Sequence, residues 1–367
     1  MESQSKVGNK MGNKNGKKVF VGMSGGVDSS VAAALLQAQG FDVTGVFIKV
    51  WQPDWMECSW REDRLDAMRV AVHIGIPFVT IDLEKEYKKE VVDYMIEEYK
   101  RGRTPNPDIM CNRFVKFGGF FDWAMKNGAD YVATGHYTQI KEEGGQFNLL
   151  SGIDTSKDQS YFLWTLTQRE LSKTLFPVGG MEKTETRTLA RKFGLPVAEK
   201  RDSQGLCFIG KVNIKEFLSH YIEPKRGDVL DASGKIIGEH DGALFLTLGE
   251  RHGFTVTEKT PDDAPYYVVD RDIAKNTVTV SHKSATEGLS IERKEFSLES
   301  VNWIDAAPQS GKTYTARVRH LGQLLPCLVE IAVGGAEIGF KEPLIVASGQ
   351  SVVVYDNHTC IGGGIVV

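Results

Sequence analysis

At 367 residues, with ordinary apolar and charged fractions, the chain has the size of two or three globular domains. No apolar run is long enough for a membrane span. The net charge of −4 does not advertise a nucleic-acid binder, although a local basic face would be enough for one. The five cysteines (Cys58, Cys111, Cys207, Cys327, Cys360) are dispersed, odd in number and without a CxxC pair. That argues against a disulfide framework and against a zinc site, and suits a reducing, cytoplasmic setting.

In chain order, residues 1–17 are rich in Gly, Asn and Lys and read as a disordered basic extension. They lack both the apolar core of a secretory signal and the arginine-rich pattern of a transit peptide. Val19–Met23 is a short β-forming run. Ser24, Gly25 and Gly26 break it, and a helical pattern runs from Asp28 until Gly40 stops it. Strand, glycine loop and helix N-terminus in succession make an anion site, because glycines allow close backbone approach and the helix start offers free N–H groups. The lysine and spacing of a Walker A loop are absent, and GxGxxG does not fit.

Val43–Val50 is the second strand and Arg61–Ile74 a helix. Phe78–Asp82 is the third strand, and Glu84–Arg101 is a long charged helix whose charges read as a solvated face. Gly102–Arg113 (GRTPNPDIMCNR) is expected to be a rigid loop carrying Cys111, because its two prolines disfavour helix and strand. A helix over Phe114–Lys126 and a strand at Tyr131–His136 complete an alternating pattern, as a doubly wound parallel sheet requires. Ligands in such sheets sit beyond the carboxyl ends of the strands. Glu142–Gln146 is a hairpin turn, Thr184–Phe193 a basic helix, Leu195–Gly210 an irregular stretch carrying Cys207, and Asn213–Tyr221 a short helix. After Pro224 short alternating runs (ALFLTL, YYVVD, TVTVS, TARVRHL, CLVEIAV, SVVVYD, GGGIVV) indicate small all-β modules.

The expected architecture is therefore α/β: a doubly wound parallel-sheet domain over 18–212, a small central β-rich domain over 213–283 and a C-terminal β-barrel-like domain over 284–367. Cys111 and Cys207 are flanked by basic residues (Arg113 and Lys116; Lys200 and Arg201), which favour a thiolate. A lone cysteine is otherwise often just a small buried hydrophobe. Asp108 is either a general acid/base or the anchor of an Asx turn. Basic residues at 183–201, 211–226 and 312–320 are either a phosphate-binding path or scattered surface charge.

SGGVDS resembles the pyrophosphate loop of the ATP pyrophosphatases. Together with GRTPNPDIMCN, ATGHY, KDQSYFL and RDSQGLCFIG, it resembles the tRNA-specific 2-thiouridylases from about residue 18 to the end. The resemblance implies ATP binding by Gly22, Met23, Ser24, Gly25, Gly26, Val27, Asp28, Ser29, Ile48 and Gly135, with Mg²⁺ riding on the nucleotide and no dedicated metal cage. It implies a persulfide on Cys207, with Cys111 as the partner nucleophile. It assigns Asn106, Pro107 and Asp108 to the target base, and His136, Lys157, Asp158, Gln159, Arg319, His320 and Gln350 to tRNA. Ile48 stands where relatives often carry Met, and His320 where many carry Tyr. The implied reaction adenylates O2 of a wobble uridine in Lys-, Glu- or Gln-type tRNA and replaces it with sulfur. The sulfur would come from a persulfide donor or carrier fed by a cysteine desulfurase. Other ATP pyrophosphatases, such as a lysidine synthetase or an amide-forming ligase, share the loop but do not need the two cysteines.

Overall fold

The computed structural model describes residues 16–56, 60–202, 213–257, 264–282 and 293–367. Residues 1–15 of the extension, Cys58, Cys207 and Lys211 lie outside these. Of the remaining extension, Lys17 is described, and its ammonium pairs with Asp130 at 2.9 Å.

The first strand, β1 (Lys18–Gly22), lies inside a five-stranded parallel sheet. Its neighbours are β2 (Asp42–Lys49) on one side and β4 (Tyr131–Ala133) on the other; β3 (Phe78–Asp82) and the short strand Thr174–Leu175 form the edges. Val19 and Val21 are fully buried, as a strand covered on both faces requires. Helix α1 (Val27–Ala38) lies between the sheet and neighbouring helices, and its residues Val31, Ala32 and Ala33 are fully buried. Gly40, at φ +88°, takes the left-handed conformation that ends the helix.

The segment 102–113 departs from the expected loop. Pro107 occupies the first position of a helix, where its missing N–H costs nothing. Asn106 caps that helix, its Oδ1 accepting from Asp108 N at 3.1 Å and Ile109 N at 3.3 Å. Helical backbone then runs without interruption through 107–126, widening to i→i+5 hydrogen bonding over Cys111–Phe120. Cys111 is therefore a fully buried helix residue, not a loop residue.

Five strands over 227–282 form a second sheet. The run ALFLTL is not a strand there; Ala243–Phe245 is a single tight 3₁₀ turn that inserts Phe245 and Leu246 into apolar surroundings. The third sheet closes on itself. Its C-terminal six strands run in the order 293–303, 335–344, 325–332, 314–317, 351–356 and 359–366, and the last pairs back to the first. This is an antiparallel barrel with no open edge along that seam.

The hairpin Thr138–Glu143/Gln146–Ser151 leaves the N-terminal domain and extends the barrel sheet through Thr359↔Leu150 and Cys360↔Leu149. Beneath this junction lies a buried ion pair. Arg317 Nη1 meets Asp158 Oδ2 at 2.5 Å, and Asp158 Oδ1 also accepts from the backbone N–H groups of Gly152 and Ser160. The segment before Asn106 is tied to both β modules. Arg271 donates to Gly102 O at 2.9 Å, Thr104 N donates to Ser348 O at 2.8 Å, and Gln350 Nε2 donates to Thr104 O at 2.8 Å.

Candidate active site

A cleft of about 630 Å³ opens at the carboxyl ends of β1, β2 and β4, where a parallel sheet presents its ligand site. The glycine loop is its floor. Gly25, at φ +76°, turns so tightly against helix α2 (Trp60–Ile74) that a Cβ there would lie 2.2 Å from Asp63 O. Among the described residues no side chain caps the N-terminus of α1. Ser24 and Ser29 hydroxyls lie 3.3 Å apart beside it, and Ser30 Oγ donates to Gly26 O. Uncapped N–H groups with adjacent hydroxyls form a cradle for phosphate oxygens.

Gly135 presses on the start of α1, where a Cβ would lie 2.6 Å from Ser29 N. Next to it, His136 is buried. Its Nδ1 lies 2.7 Å from Thr134 Oγ1 and its Nε2 lies 3.3 Å from Lys116 Nζ. Burial, and then the Lys116 charge, holds its pKa well below the usual imidazole range, so the ring is neutral. With the ammonium donating to Nε2, the ring proton sits on Nδ1 and points at Thr134.

Lys183 is a site residue that the sequence reading left in a generic basic stretch. It opens the helix Lys183–Lys192 and reaches into the cleft. Asp202 accepts from Lys183 at 2.9 Å, from Arg187 at 2.7 Å and from Lys157 at 3.3 Å. Burial alone would raise the Asp202 pKa, but the Lys183 and Lys157 ammoniums outweigh it and hold it below the usual carboxylate range. Tyr137 donates to Asp28 Oδ1 at 2.8 Å, and burial, followed by the Asp28 charge, pushes its hydroxyl pKa upward. Lys200 bridges the loop to α2 through Gly25 O, Asp63 and Asp66. Much of the basic 183–201 stretch is thus already paired. The only advance signal for Lys183 was its position at a helix start among polar residues.

The cleft brings together most of the expected site: Gly22, Met23, Ser24, Gly26, Val27, Asp28, Ser29, Ile48, Gly135, Asp108, His136, Lys157, Gln159 and His320. His320 reaches it from the barrel, its ring 4.3 Å from Phe162, with Leu321 beside it. Several expected residues are placed elsewhere. Asp158 is 1% exposed and committed to Arg317, so it offers no surface to RNA. Gln350 spends its amide on Thr104 O, and Asn106 spends its side-chain carbonyl as a helix cap. Pro107 and Arg319 do not line the cleft, although Arg319 is exposed near its rim. Cys111 lies one residue from the cleft-lining Asn112 but is itself buried. Cys207 lies outside the described residues. Cys327 and Cys360 are also buried, and burial pushes both thiols up to about 12.

A parallel sheet feeding a glycine loop and a helix N-terminus, joined to a second sheet and a closed barrel, defines a nucleotide-binding α/β protein with appended β modules. Three sequence families match in that order: tRNA methyl transferase HUP domain over 17–211, tRNA methyl transferase PRC-barrel domain over 215–282, and aminomethyltransferase beta-barrel domain over 293–366. The tRNA-specific 2-thiouridylase MnmA of Enterococcus faecalis is 45% identical over 97% of this chain and 96% of its own length. The proteins of the same name from Listeria innocua and Streptococcus equi subsp. zooepidemicus are each 43% identical, over 96% and 95% of this chain and 95% and 94% of their own lengths. The chain belongs to the tRNA-specific 2-thiouridylase family.

Proposed function

We propose that this protein is an ATP-dependent tRNA-uridine 2-sulfurtransferase that acts on the wobble uridine. One observation carries the reading: a single cleft joins a phosphate cradle, the polar face of the helix after Asn106-Pro107 and a rim from the barrel. Nucleotide and target base can then meet in one volume. A uridine C2 carbonyl is a poor electrophile, and its oxygen a poor leaving group. In the proposed reaction O2 attacks the α-phosphorus of ATP and pyrophosphate leaves. The N3 proton is lost, and C2 now bears AMP as its leaving group. The α1 N-terminus and Lys183 stabilise the charge that develops on the phosphates.

The terminal sulfur of a Cys207 persulfide attacks C2 and expels AMP, leaving Cys207–S–S–C2. A Cys111 thiolate then attacks the Cys207 sulfur. The products are 2-thiouridine and a Cys111–Cys207 disulfide. In the alternative order Cys111 attacks the persulfide first and releases hydrosulfide as the nucleophile. Because Cys111 is buried here, either order requires the first turns of the helix 107–126 to open toward the cleft. Among the described residues no cluster of three or more His, Cys, Asp or Glu could hold a metal, and Asp28 and Asp202 are engaged by Lys183. Mg²⁺ carried by ATP would neutralise phosphate charge.

The target nucleotide leaves the anticodon stack to reach the cleft, at modest cost in a single-stranded loop. Exposed Arg319 near the rim and His320 within it would meet the tRNA, and a carrier supplied by a desulfurase would load Cys207. No helix among the described residues is long and apolar enough to cross a membrane. Nucleoside mass spectrometry of a wobble-uridine tRNA, after incubation with protein, Mg-ATP and a persulfide donor, tests the reading. Sulfur in place of oxygen in wild type, lost in Cys207→Ser and Cys111→Ser, supports it. An added methyl group, or AMP formation with no sulfur incorporated, overturns it.

A further inference from the structure

Asn112 is 3% exposed, yet it lines the cleft. Its amide has a fixed orientation: Nδ2 donates to Asp108 O, one turn earlier, at 2.9 Å. A carbonyl can only accept, so the amide cannot flip without losing that bond. Among the described residues, Oδ1 is left as a buried acceptor with no hydrogen-bond partner. A buried acceptor without a protein partner is costly, and beside a ligand cleft a ligand donor can supply the missing bond. Lys116, the next residue along this face of the helix, also lines the cleft, and neutral His136 steadies its ammonium. One wall thus presents a fixed acceptor followed by a donor.

We propose that Asn112 Oδ1 accepts the N3–H of the target uracil, with Lys116 donating to a neighbouring ring carbonyl, so that this pair selects uracil over cytosine. Uracil presents an N–H donor between two carbonyl acceptors. Cytosine presents a bare N3 acceptor, which would set lone pair against lone pair at Asn112. The inference rests on the uridine-thiolation reading and adds to it the group that identifies the base. Asp108 contributes through its backbone carbonyl, which locks the Asn112 amide, whatever its carboxylate does.

The test uses anticodon stem-loops bearing uridine, cytidine or 3-methyluridine at the wobble position. Their dissociation constants are measured with the full-length protein in the presence of α,β-methylene-ATP. Wild type is expected to bind the uridine loop about tenfold or more tightly than the other two, as loss of one buried hydrogen bond implies. In Asn112→Leu the three affinities are expected to converge within about twofold, with affinity for the ATP analogue unchanged. Equal binding of the three loops by wild type overturns the proposal whether or not the variant folds. So does a uridine preference that survives in the variant, or a variant that loses the ATP analogue but keeps the preference. Sulfur incorporation into the uridine loop by wild type is monitored in parallel. If it fails, the parent reading falls and this one with it; if it succeeds while the preference is absent, only the assignment of Asn112 falls.

Discussion

Lys183 Nζ lies 2.7 Å from Asp28 Oδ1 and 2.8 Å from Asp28 Oδ2, bridging the glycine loop to a helix that begins 155 residues later. The ammonium also holds Asp202, and its side chain is 11% exposed. It lies between two carboxylates in the cleft that holds the phosphate cradle. A triphosphate entering there would exchange carboxylate partners for phosphate partners. Lys183→Ala is therefore expected to weaken ATP binding about tenfold or more, the scale of a charge-assisted hydrogen bond to phosphate. Lys183→Arg should recover part of the loss. Calorimetric titration with α,β-methylene-ATP checks both, and unchanged affinity in Lys183→Ala would remove the residue from the nucleotide site.

Adjacent glycines in the loop should behave differently. At Gly25 the backbone has φ +76° and a Cβ would fall 2.2 Å from Asp63 O. Left-handed backbone alone costs a non-glycine residue ~1–2 kcal/mol, and the clash adds to it. At Gly26 a Cβ would meet, among the described residues, only Ser24 Oγ, at 3.3 Å, and φ is negative. Thermal denaturation should show Gly25→Ala clearly destabilised and Gly26→Ala close to wild type. Equal midpoints would contradict this loop geometry.

The strand–loop–helix over 18–38 was legible because everything that defines it is local: a β-forming run, two glycines and an apolar helical face. The helix at 107–126 was misread at its start because two prolines suggested a loop, whereas Pro107 sits where a helix tolerates it and Asn106 caps it. ALFLTL was misread because an apolar run of that length does not distinguish a strand from a tight turn. Partners far away in sequence left no mark at all. The resemblance gives Lys157, Asp158 and Gln159 to tRNA, yet Asp158 is buried against Arg317, 159 residues later, and nothing near either residue announces the other. The joining of the 138–151 hairpin to the barrel was hidden for the same reason.

That buried pair gives a stability prediction. Asp158→Asn or Arg317→Met alone should cost ~3–5 kcal/mol, because each leaves a charge stranded away from water. The double variant should cost much less than the sum, since the pair offsets much of its own desolvation. Urea unfolding of the four proteins gives the coupling energy, and additive losses would mean that the two side chains do not depend on each other.

The buried histidine ties stability to pH. Burial, followed by Lys116, depresses the folded-state pKa of His136, and burial does the same for His240 and His320. The unfolded chain takes up these protons near the ordinary value of about 6.5, while the folded chain resists them. Stability is therefore full above about pH 6.5 and falls as pH drops from there toward the folded-state values, with a slope of up to ~1.4 kcal/mol per pH unit for each such histidine. His136→Gln can still hydrogen-bond but cannot titrate, so its stability should fall less steeply over that interval. Unfolding free energies measured from pH 7.5 down to pH 5 in both proteins decide the matter. Parallel curves would mean that His136 takes up its proton in the folded state as readily as in the unfolded one, and so would remove the neutral ring on which the orientation of Lys116 depends.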